Sequence, residues 1–121
     1  MANENEESPI ANTNTIDTVV RFKGGGAYYG LVVAKPLSGD ESSQDRLLSK
    51  IEAYIQDFYS DKSLAISGRP TIENSRIHVR IHPDSDPIIF ELLEYCRKWV
   101  ESNHIQFKVD TDLWSGSTAP H

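Results

Sequence analysis

Residues 76–110 read RIHVRIHPDSDPIIFELLEYCRKWVESNHIQFKVD and contain a strand, a helix and a second strand in one run. In residues 76–82 the apolar Ile77, Val79 and Ile81 alternate with Arg76, His78, Arg80 and His82, the two-residue period of a strand with one face against a core. Pro83 stops that strand, because it has no amide hydrogen for a ladder. Asp86 stands where a carboxylate accepts from the free amides of a helix start, and Pro87 suits the first helical position. Ile88, Ile89, Leu92, Leu93, Cys96, Trp99 and Val100 then recur at helical spacing to about Ser102, with Asn103 as the expected left-handed stop. Residues 104–110 alternate again, Ile105, Phe107 and Val109 inward and His104, Gln106 and Lys108 outward.

Upstream, residues 16–23 also alternate, with Ile16, Thr18, Val20 and Phe22 on one side. Asp17, Val19, Arg21 and Lys23 occupy the other side, which is read as the solvent side. Gly24-Gly25-Gly26 joins this strand to residues 27–35 as a hairpin, because glycine reaches the positive φ of a tight reversal. Residues 42–60 form a helix with the stripe Leu47, Leu48, Ile51, Tyr54, Ile55 and Phe58. Lys50, Glu52, Gln56 and Asp57 lie opposite that stripe, and Ser42 with Asp45 resembles a capping box. Residues 63–67 read as a short edge strand ended by Gly68 and Pro70. The expected fold is α+β: a two-layer sandwich whose four- or five-stranded, mostly antiparallel sheet carries two helices on one face. With 63–67 as a strand, residues 27–110 run βαββαβ, the ferredoxin-like order. A hairpin partner at 16–23 would compete for an edge of that sheet, so a variant of it is expected.

A chain of 121 residues makes one domain, read as residues 15–114. Residues 1–14, with Ile10 as their single large aliphatic side chain after Met1, and residues 115–121 are read as disordered tails. Cys96 is the sole cysteine, so no internal disulfide forms. No stretch reaches the roughly 20 apolar residues of a membrane span. The acidic start, with Glu4, Glu6 and Glu7, lacks the basic and apolar regions of a secretory signal, so a cytoplasmic protein is expected. The formal net charge of −6 argues against bulk nucleic-acid binding.

The charges are unevenly placed along the elements. The outward positions of the strands carry Arg21, Lys23, Arg76, His78, Arg80, His82, His104 and Lys108 against the single acid Asp17. Acids gather instead in the N-terminal segment, at the helix starts and along the second long helix, at Glu91, Glu94 and Glu101. A basic open sheet face of this kind orients an acidic partner, and His78, Arg80, His82, His104 and Lys108 are the candidate partner-binding residues. Basic side chains also protect an exposed sheet from pairing with other chains, a role that needs no partner. Readers of single-stranded RNA add aromatic rings at the centre of such a sheet; Tyr28 alone would supply one, so nucleic acid is not the expected partner.

Other constellations have plainer readings. His78 and His82 are four residues apart on a strand, about 13 Å, too far to share one metal. His82, Asp84 and Asp86 include metal-ligand types, but Asp86 is already used as a helix cap, and no metal or cofactor is expected. The three glycines precede a strand rather than the helix of a phosphate loop. Cys96 lies mid-stripe as an inert core thiol, and no nucleophile elbow is present. No catalytic residue is assigned. In general character the chain resembles small bacterial toxin-immunity proteins, acidic α+β domains without catalytic residues. That resemblance implies a toxin as protein partner and carries over no residue. The expected function is a non-catalytic protein-binding module, with a regulatory small-ligand domain or a small ferredoxin-like enzyme as alternatives.

Overall fold

The computed structural model describes residues 18–111. The two terminal segments read as tails lie outside the described residues, as do Ile16, Asp17 and Trp114. The elements are β1 (Thr18–Arg21), β2 (Ala27–Val33), α1 (Glu41–Phe58), α2 (Asp61–Ser67), β3 (Ser75–Ile81), α3 (Pro87–Glu101) and β4 (Gln106–Asp110).

The turn joining β1 to β2 closes with the Phe22 amide donating to the Gly26 carbonyl at 2.9 Å and the Gly25 amide to the Phe22 carbonyl at 3.0 Å. Gly26 has φ +92, and a Cβ there would fall 2.2 Å from the Asn74 carbonyl oxygen, so no side chain fits. Asp40, not Ser42, caps α1: its carboxylate accepts from the Ser43 amide at 2.9 Å. Asp86 caps α3 as expected, accepting from the Ile88 amide at 3.0 Å with Pro87 following. At the far end of α3, His104 rather than Asn103 takes the left-handed conformation, with φ 67. His104 is thereby a turn residue, and β4 begins two residues later.

Residues 63–67 are helical, which overturns the edge strand. Ser60 caps α2 by accepting from the Ser63 amide at 3.2 Å, Asp61 stands in the first turn, and Gly68 ends the helix at φ +73. These start and stop signals outweigh a five-residue alternation.

The chain is α+β, with three helices and a four-stranded sheet in the order β1-β2-β3-β4. Only β1 and β2 are antiparallel; β2–β3 and β3–β4 are parallel. The sheet is therefore mixed rather than mostly antiparallel, and the ferredoxin-like order is absent from the described residues. Parallel neighbours need a long crossover, and residues 34–74 and 82–105 supply two.

One hydrophobic cluster joins the buried stripes of α1 and α3 to Tyr29, Leu31, Val33, Ile77, Val79, Ile81 and Phe107 of the sheet. The Tyr54 hydroxyl donates to the Gly30 carbonyl at 2.9 Å, tying α1 to β2. Lys50, read on the solvent side of α1, is buried. Its ammonium lies 5.8 Å from the centre of the Tyr54 ring. Cys96 is buried in the cluster, and burial pushes its thiol up to about 11.

Candidate exposed-sheet interface

Strand β1 presents the opposite side from the one its alternation implied. Val19 pairs with the buried Tyr29, and Arg21 pairs with the buried Ala27. Arg21 reaches Asp57 of α1, Nη2 to Oδ2 2.9 Å, and its Nε donates to the Ser63 hydroxyl of α2 at 3.1 Å. The Tyr29 hydroxyl donates to the same Asp57 oxygen at 2.5 Å and lies 3.2 Å from Ser63. Burial, then the bond to Asp57, holds the Tyr29 hydroxyl above its ordinary pKa. Arg21 is thus excluded from the exposed basic face, and Val20 turns outward in its place.

The pairing register lays out that exposed face. One row runs Val20, Tyr28, Arg76, Gln106; the next Thr18, Gly30, His78, Lys108; a third Val32, Arg80, Asp110. The β1–β2 half is apolar, with Val20 49 %, Phe22 41 %, Tyr28 44 % and Val32 36 % exposed. Phe22 meets Tyr28 edge-on at 5.4 Å between centroids, and the Arg76 guanidinium lies 5.0 Å from the Tyr28 ring centre. The β3–β4 half carries Arg76, His78, Arg80 and Lys108. Gly30 leaves a low point on the face beside the Thr18 side chain, from which an added Cβ would sit 3.4 Å away.

Of the five candidates, His78, Arg80 and Lys108 lie together on adjacent strands, His78 being the register partner of Lys108. Two further candidates are not part of that group. His82 lies just past β3, where its Nδ1 accepts from the Asp84 amide at 3.0 Å. His104 lines a hollow of about 430 Å³ with Tyr59, Arg69, Thr71, Ile72 and Glu73. That hollow lies at the end where β3 and β4 begin, and His82 at the end where β3 finishes.

Sequence reasoning missed Asp110, whose Oδ2 lies 2.5 Å from His78 Nε2. It sits diagonally from His78, a neighbour that only register reveals. The apolar half was missed as well, because the alternation of residues 16–23 puts Val20 and Phe22 on the inner side of β1. Apolar residues on both sides of that strand left its facing open. The stacked Arg76 is the clearest signal available from sequence, since it shares the outward parity of His78 and Arg80.

Residues 18–111 hold all twelve Lys and Arg and thirteen of the eighteen Asp and Glu, a balance of −1. Glu4, Glu6, Glu7, Asp17 and Asp112 supply the other five negative charges. The overall acidity therefore belongs mostly to the terminal segments. Among the described residues no three His, Cys, Asp or Glu side chains are grouped to hold a metal, and no helix is long and apolar enough to cross a membrane. Comparison of the chain with family models, with curated proteins and with solved structures finds no match.

Proposed function

We propose that this chain is a non-catalytic protein-binding module whose partner docks on the exposed sheet face. In this reading α1 and α3 both cover the other face, as right-handed crossovers between successive parallel strands require. Every second residue along β2 and β3 is buried and the residues between are half-buried or exposed, which supports that arrangement. The observation that carries the proposal is the two-part face itself. Large apolar side chains at Val20, Phe22, Tyr28 and Val32 stand exposed beside Arg76, Arg80 and Lys108. Aromatic and arginine anchors beside a charged rim are the composition of a protein interface. The partner that fits has an apolar projection bordered by carboxylates, and occlusion of such a surface on a toxin is the narrower form of the proposal. Arg76 lies over the Tyr28 ring, where a base would stack, which favours protein over RNA.

The test is capture of partners from the native host by the wild-type chain, by Arg80→Glu with Lys108→Glu, and by Val20→Asp. The expected result is one partner lost in both variants, with association that slows as salt rises in the wild type. A partner held equally by all three chains rules out this face.

A further inference from the structure

Helix α3 carries two apolar ridges, of which the core fully buries one. Ile89, Leu93, Cys96 and Val100 are buried. The adjoining ridge is Ile88, Leu92, Tyr95 and Trp99, with the same four-three-four spacing. Ile88 is 41 % and Tyr95 80 % exposed, and Leu92 and Trp99 are half-buried against the edge of the core. A four-three-four apolar ridge along one helix is the seam with which two helices pack.

The charges beside the ridge say what covers it. Glu91 and Lys98 flank its outer side, both exposed and seven residues apart, about two turns, which is too far to pair within one helix. Among the described residues neither has an ion-pair partner. Glu94 instead pairs with Arg97 at 3.0 Å, and Arg97 is further engaged by the Phe107 carbonyl. The ridge thus has an acid beside its N-terminal half and a base beside its C-terminal half. Turned through a two-fold axis, those ends complement each other.

We propose that α3 pairs antiparallel with α3 of a second copy of this chain. Ile88 then packs against the other copy's Trp99, and Leu92 against its Tyr95. Glu91 of each copy comes opposite Lys98 of the other, since both lie in the same outer position between successive layers. The arrangement is isologous and closes at two. It leaves the exposed sheet face free in each copy and stands independently of the function proposed for that face. Four side chains per copy bury less than the roughly 800 Å² per partner of a standard interface. The dimer is accordingly weak and depends on concentration.

Sedimentation equilibrium of the full chain tests this, with thermal melts as the check on folding. The wild type is expected to dimerise with a dissociation constant on the order of 10–100 µM. Tyr95→Glu is expected to remain monomeric with an unchanged melt, because that side chain is almost fully exposed. Glu91→Lys sets lysine against lysine and is expected to weaken pairing about tenfold. Glu91→Lys combined with Lys98→Glu restores the attraction and should recover wild-type affinity. A wild type that stays monomeric to about 1 mM overturns the proposal. So does a dimer that survives Tyr95→Glu, a dimer broken instead by Arg80→Glu with Lys108→Glu, or a double swap no tighter than Glu91→Lys alone.

Discussion

Asp57 accepts from both Arg21 and Tyr29 on one carboxylate oxygen, so a single side chain holds β1, β2, α1 and, through Ser63, α2. A half-sheltered carboxylate with two donors is stabilising chiefly because removing one member leaves the others unsatisfied. Arg21→Met is therefore expected to cost about 1–3 kcal/mol in urea unfolding, above the ±0.5 kcal/mol or so of an ordinary surface change. The network also gives stability a direction with pH. The Tyr29 hydroxyl is held above the ordinary value of 10.0, so the folded chain keeps that proton more tightly than the unfolded one. The contribution is fully present below pH 10.0 and is lost as pH rises through the folded value. Tyr29→Phe should flatten the alkaline limb of a plot of unfolding free energy against pH; an unchanged limb would remove Tyr29 from the account. Cys96, buried and raised to about 11, should react with a thiol reagent at pH 8 only as fast as the core opens.

At the level of elements, α2 is a seven-residue helix, too short to form by propensity alone. Its caps and its contact with the Arg21 network hold it. Ser60→Ala is expected to cost about 1 kcal/mol by removing the cap, and Gly68→Ala a similar amount by forcing a side chain into positive φ. Helix α3 separates its two ridges energetically. Leu93→Ala should cost roughly 2–5 kcal/mol, and Leu92→Ala, from a half-buried position, distinctly less. Equal losses in a chemical melt would mean that the helix is rotated about its axis from the orientation described.

For the molecule as a whole, the near-neutral balance of residues 18–111 places most of the net charge in the termini. Removing residues 1–14 deletes Glu4, Glu6 and Glu7 and none of the core cluster. The melting temperature should move by no more than a few degrees, since changes away from the core are usually worth about 0.5 kcal/mol or less. Association of an acidic partner with the basic half of the sheet should become faster, by an amount that shrinks with added salt. Stopped-flow rates at two ionic strengths measure this directly, and equal rates for both chains would show that the terminal charges do not reach that face.

Local patterns in the sequence determined β3, α1, α3 and β4, the capping roles of Asp86 and Pro87, the burial of Cys96 and the outward parity of His78, Arg80 and Lys108 on their own strands. Each of these follows from period, cap chemistry or side-chain parity within one element, and those signals lie within a few residues of one another. The tertiary structure alone decided the parallel pairing of β2, β3 and β4, the inward turn of Arg21, the exposure of Val20 and Phe22, and the meeting of His78 with Asp110. Parallel or antiparallel pairing is settled by how a crossover packs, which no single strand records. The facing of β1 was settled by Asp57 and Ser63, 36 and 42 residues away: a strand with apolar residues on both sides takes the register that leaves no buried charge without a partner.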